Sequence, residues 1–320
     1  MRRGPIFETA YRPQFSGHET FPLRYGWLKK AFDRVAEIED HSGNRSQCWG
    51  DDAIAFFGVG KNMVAAIRHW ATLVGIVEEP PGTDKIRTTR LGKTLFTSLD
   101  PFMENPATLW LLHWKLAACP IKTTWFWAFS HYPSMTFERD HLVKALQRLS
   151  EGQDWNRVSA ATLKNDVACF IRTYVPQQSK GQAGFDDALE SPLTELGLIK
   201  SIGRRDGFRF VRGPKPTLGN GIFTYALLDF WSRVSTAATL SSESIAQAPG
   251  SLGRVFLMDE NDVADRLASL ESMTNGFLRW SETTGIKQVE RAGDFDPELA
   301  LSMISMDYRQ SEGGAFYATR

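Results

Sequence analysis

The sequence predicts a mainly α-helical protein with small β-hairpin wings, built as tandem winged helix-turn-helix-like modules. Three observations predict it. Apolar residues return every three or four positions along most of the chain. Short strand–turn–strand patterns interrupt this periodicity. The order helix, short helix, turn, helix, hairpin then recurs, sharing architecture rather than letters.

The first module is expected over residues 1–100. "PLRYGWLKKAFDRVAEI" places Leu23, Trp27, Leu28, Ala31, Phe32, Val35 and Ile38 on one stripe. Pro22 suits the first helical turn, where the Thr20 hydroxyl can serve free amides. "DDAIAFF" reads as a short helix with acidic starters, and "GVGKNMVAAIRHWATLVGIV" as a longer one with Met63, Ile67, Trp70 and Val74 inward. "EEPPGTDKIRTTRLGKTLF" supplies two strands about a Pro-Gly turn, then a helix. A helical middle region with a second module is expected over 101–235. Its parts are "SAATLKNDVACFIRTYV", a short helix in "SPLTELGLI" and a hairpin turning at Arg205-Asp206-Gly207. Residues 101–118 and 219–234 read as buried joining helices, and 177–184 as a loop or linker. A third module covers 236–308, and 309–320 is expected to be a flexible tail.

Length allows about two or three domains. No run of apolar residues approaches a membrane span, and "MRRGPIFETAY" lacks a signal-peptide core, so a cytoplasmic location is expected. Cys48, Cys119 and Cys169 are far apart, in no CxxC spacing, and read as free thiols. Formal charge is zero, but Lys and Arg gather in residues 1–30 and 200–215. Such patches can steer a polyanion to one face.

"FFGVGKN" lacks the Gly and Ser/Thr of a Walker A loop, having Ala55 and Asn62 there, so no nucleotide or organic cofactor is expected. It reads instead as the turn into a DNA-contacting helix. Lys61 and its helix N-terminus suit a phosphate, and Asn62 and Arg68 suit base edges. Lys164, Asn165 and Arg172 repeat this layout off an apolar stripe. Asp166 is read in a first helical turn, favoured by the helix dipole, and with a second carboxylate as a metal ligand. Arg204, Arg205 and Arg209 make a basic wing. The Trp-rich run 108–132 reads as core packing, with His113 hydrogen-bonded inside it. In the opening stretch, adjacent His18 and Glu19 point to opposite sides if extended, and Pro22 breaks an HExxH zinc pattern. His18 as a general base and Glu19 as a ligand for a divalent cation stand beside a purely structural role.

Taken together, "FSGHETFPLRYGWLKK", "GVGKNMVAAIRHW", "WLLHWKLA", "TLKNDVACFIRTYV" and "ESPLTELGLI" resemble one bacterial family over residues 12–307. It is the SspB-type family of DNA phosphorothioation and phage-defence systems, long described as a domain of unknown function. The resemblance implies a duplex-DNA-binding protein that nicks one strand for a cysteine desulfurase, an ATPase and an ATP-pyrophosphatase/reductase-like enzyme. A nickase must hold a phosphodiester and offset transition-state charge, often with a metal such as Mg²⁺. The nearest suitable groups are His18, Glu19 and Arg24, with Lys29 and Lys30 as phosphate clamps. A non-catalytic DNA-recognition or scaffold subunit and a transcriptional regulator of a defence locus are the alternative readings.

Overall fold

The computed structural model describes residues 4–41, 43–153, 155, 158–177, 190–203, 206–283 and 285–309. It is mainly helical, with small antiparallel sheets. The chain opens with α1 (Trp27–Asp40), α2 (Arg45–Trp49), α3 (Asp52–Phe57) and α4 (Lys61–Leu73). The strands β1 (Val77–Glu78) and β2 (Arg87–Thr88) follow, then α5 (Arg90–Thr94) running into a π-helical turn, Leu95–Leu99. Helix α1 starts at Trp27 and not at Pro22, because Gly26 at its head takes a left-handed conformation (φ 76°) that no helix continues through. Thr20 therefore caps nothing there, although Leu23 is buried as its spacing requires. Helix α2, unforeseen, is closed by a capping box. The Asn44 side chain accepts from Gln47 N (2.9 Å), and Gln47 returns the bond to Asn44 N (3.3 Å).

The middle of the chain holds α6 (Pro106–Ala117), α7 (Thr123–Ser130), β3 (Thr136–Glu138), α8 (Arg139–Gly152) and α9 (Ala160–Tyr174). Strands β4 (Ile199–Ile202) and β5 (Gly207–Phe210) then complete a sheet of order β3-β5-β4. Next come α10 (Asn220–Val234), β6 (Thr239–Ser241), α11 (Ser242–Gln247), α12 (Leu252–Val255), α13 (Glu260–Leu267) and α14 (Leu270–Met273). The hairpin β7 (Leu278–Thr283) and β8 (Ile286–Arg291) adds to β6 in the order β6-β8-β7. In both three-stranded sheets the last strand of a hairpin is sandwiched between its partner and a short strand that comes before the intervening α-helices, two in the first case and four in the second. Helix α15 (Pro297–Arg309) closes the described chain; residues 310–320 of the expected tail, and 178–184 of the expected linker, lie outside it.

The core runs through α6, α7 and α10, which are apolar on nearly every side and buried on nearly every side. Trp110, Trp114 and Trp125 are fully enclosed, as packing residues rather than stacking platforms. Sequence reading did not foresee α15. Its Asp307 accepts from Gly221 N (2.9 Å) and Ile222 N (2.7 Å), satisfying amides at the head of α10 that would otherwise lack partners. Gly221 must be glycine here, since a Cβ would lie 2.4 Å from the Met303 carbonyl.

His113 ties three regions together. Its Nε2 donates to the Val255 carbonyl (2.8 Å), and its Nδ1 accepts from the Tyr174 hydroxyl (2.9 Å). Burial pushes its pKa from 6.5 down to about 4. The unfolded chain thus takes up a proton that the folded one refuses between these values. The stabilisation is complete above pH 6.5 and is lost as pH falls toward 4, by about 3 kcal/mol at one pKa unit per 1.36 kcal/mol. Burial lowers His131 (to about 4) and His69 (to about 3) as well, adding to the same slope. Urea midpoints across pH 7 to 4.5 should fall steeply, and less steeply in His113→Gln, which keeps a donor and an acceptor but does not titrate.

Candidate nucleic-acid interface

The opening motif is a tight bend whose backbone is held in uncommon conformations. Gly17 has φ 101°, and Glu19 (φ 46°) and Thr20 (φ 67°) are left-handed without being glycine. Such residues cost about 1–2 kcal/mol each and persist where the surroundings over-determine them. The Phe21 amide donates to the His18 carbonyl (2.8 Å), closing the bend. It turns the His18 ring inward, where it is 3% exposed, and leaves Glu19 and Thr20 facing solvent.

The ring meets a buried charge network. Thr20 N donates to His18 Nδ1 (3.0 Å), so the imidazole proton sits on Nε2, which donates to Asp166 Oδ1 (2.8 Å). Lys122 Nζ reaches the same oxygen at 2.9 Å and also the Ser16 carbonyl at 3.2 Å. Thr124 donates to Asp166 Oδ2 (2.5 Å), and Lys122 lies 5.2 Å from the centre of the Trp125 ring. Lys122, Thr124 and Asp166 are wholly buried. The bend also touches α4 and α9 directly: Trp70 Nε1 donates to the Phe21 carbonyl (3.0 Å), and Arg172 donates to the Thr20 carbonyl. The motif therefore works as a latch holding α4, α7 and α9 together.

Several expectations change at this point. Asp166 is not in a first turn, since α9 begins at Ala160; it is deep in the helix and faces the core. Its oxygens are taken by His18, Lys122 and Thr124, which leaves it badly placed to ligate a metal. His18 and Arg24 are buried; the Arg24 guanidinium lies 5.5 Å from each of the Phe21 and Trp27 rings. Of the three residues expected to do chemistry, Glu19 alone is exposed. Lys122 and Thr124 were missed. A signal existed: a single Lys inside "PIKTTWFWAF" needs a buried acid. Asp166, three residues after Leu163 and four before Phe170, shares their apolar stripe.

On the surface, Lys61, Asn62, Lys164, Asn165 and Arg209 are exposed and have no hydrogen-bond or ion-pair partner among the described residues. Lys61 and Asn62 stand on the first turn of α4, where unpaired amides and the helix dipole favour an anion. Other basic candidates are engaged. Lys29 pairs with Asp33 (2.6 Å), and Lys30 donates to the Phe57 carbonyl (3.3 Å). Arg68 makes a two-pronged bond to Glu79 (2.7 and 2.5 Å), whose carboxylate also accepts from Trp49 Nε1 (3.1 Å). That geometry uses the fork with which Arg68 was expected to read a base, so Arg68 reaches DNA only by leaving Glu79. Arg204 and Arg205 lie outside the described residues. Beside α4 opens a cavity of about 810 Å³, with Lys61 and Arg68 among the residues on its walls.

Residues 15–308 match the family described as "Protein of unknown function (DUF4007)", and the chain belongs to that family. Its structure is similar to two solved structures. One is magnesium ion-bound SspB (TM-score 0.81, 29% identity, covering 96% of this chain and 91% of that one). The other is a crystal structure of SspB (TM-score 0.79, 29% identity, with the same coverage). No curated protein matches. Among the described residues no three His, Cys, Asp or Glu side chains converge as a metal site. No helix among them is long and apolar enough to cross a membrane.

Proposed function

We propose that this protein binds duplex DNA through tandem winged-helix modules and cuts one strand, as part of DNA phosphorothioation and phage defence. The reading rests above all on Lys61 and Asn62 at the head of α4, exposed and with side chains unpartnered among the described residues. Support comes from Lys164, Asn165 and Arg209 and from the sheets β3-β5-β4 and β6-β8-β7, in each of which a short strand joins a later hairpin, as in a winged helix, whereas the sheet beside α4 is the hairpin β1-β2 alone. The break would admit the partner enzymes, a cysteine desulfurase, an ATPase and an ATP-pyrophosphatase/reductase-like protein. Within the opening motif, Glu19 is the group able to meet a phosphodiester, while His18 positions the helices around it.

A gel-shift titration across salt tests the binding. Log affinity should fall linearly with log salt, and Lys61→Ala should reduce the slope by about one if Lys61 neutralises one phosphate. A flat salt response in the native protein would remove the DNA reading. Supercoiled plasmid tests the cutting: open circle should form, and Glu19→Ala should stop it without changing the gel shift. The burial of His18 and Arg24 favours a second reading, a non-catalytic recognition and scaffold subunit. Full duplex binding with no open circle from the native protein would select it.

A further inference from the structure

The cavity beside α4 has a shape that suits something smaller than a double helix. One wall is α4 itself, from Lys61 past Thr72; facing it are Gln14, Gly17 and Ile121, which come from the opening segment and the turn before α7. Only the N-terminal end of α4 is therefore free to enter a groove, while the rest of that face looks onto a second wall. At about 810 Å³ the space falls within the roughly 300–1,000 Å³ of small-ligand pockets.

We propose that this cavity receives a single deoxynucleotide swung out of the duplex docked at Lys61 and Asn62, an inference that rests on the DNA-binding reading above. The walls match the three parts of such a ligand. Trp49, Ile54 and Ile121 offer apolar surface to the faces of a base, and Ile54 and Ile121 are exposed hydrophobics otherwise. Lys61 is positive for the attached phosphate, and Arg68 stays paired with Glu79, which neutralises that carboxylate on the wall and leaves Asp51 as the other acid of the lining. His69 is on the cavity wall, and its Nε2 is buried with no hydrogen-bond partner among the described residues, so a turn of the ring would offer it to the edge of a base. Burial, then the charge of Lys122, holds the His69 pKa down near 3, so the ring meets the base uncharged. Gly17 sets the position of that ring, since a Cβ there would lie 2.5 Å from His69 Nδ1. The cost of unstacking one base, a few kcal/mol, is what these contacts must offset.

The test uses duplexes carrying 2-aminopurine at successive positions, whose emission rises when the base leaves the stack. The full-length protein should raise emission several-fold at one position. Thr72→Phe projects a ring into the cavity from an exposed site on α4, several turns from Lys61, and narrows the space left for a base. It should abolish the rise while leaving the gel-shift midpoint within about twofold, or 0.4 kcal/mol at 1.4 kcal/mol per tenfold. A duplex that shifts with no emission rise at any position overturns the pocket and leaves the DNA reading standing. A rise that survives Thr72→Phe overturns it too. Saturable binding of deoxynucleoside monophosphates by a protein that shifts no duplex would overturn both, and point to a free nucleotide.

Discussion

Asp166→Ala should destabilise the protein by about 3–5 kcal/mol, the cost of leaving a buried charge without its counter-ion. Three donors lose their acceptor at once: Lys122, 0% exposed, together with His18 Nε2 and Thr124 Oγ1. Since folded proteins of ordinary stability have about 5–15 kcal/mol in hand, the urea midpoint should drop by about a fifth or more of its value. The converse pairing sharpens the test. Combining Asp166→Leu with Lys122→Met removes both charges and should recover much of the loss, because an apolar pair of similar volume avoids desolvating two ions. If Asp166→Ala melts like the native protein, the latch is not what holds α4, α7 and α9 together.

Gly17→Val should cost about 3 kcal/mol for two separate reasons. At φ 101° a β-branched side chain is strained, and its Cβ would sit 2.5 Å from His69 Nδ1 and 2.8 Å from the neighbouring ring carbon. His69 cannot retreat easily, because the next residue, Trp70, is fully buried and bonded to Phe21. The ring, or the bend carrying His18, must move. Thermal melting should register the strain, and the gel shift should weaken with it, because the same bend positions α4. A Gly17→Val protein with native stability and native duplex affinity would separate the bend from the interface.

Glycine and the charged pair illustrate how far sequence reading reaches. The apolar stripe of α4 and the position of its N-terminus at Lys61 were visible as spacing, because a helix converts sequence interval directly into direction. The hairpins were visible too, as strand–turn–strand patterns. Helix α15 was not, since its value lies in capping α10 through Asp307, a partner 86 residues away from Gly221. His18 and Asp166 are likewise 148 residues apart, so neither carries a local mark of the other.

By itself, then, the sequence determined the helical class, the hairpins and the exposed basic head of α4, all of which follow from local periodicity and charge. Only tertiary structure decided that His18 and Arg24 turn inward, that Asp166 serves Lys122 instead of a metal, and that Glu79 occupies Arg68. Burial and ion pairing depend on which distant segments meet, and a side chain's chemistry depends on that meeting more than on its neighbours in the chain.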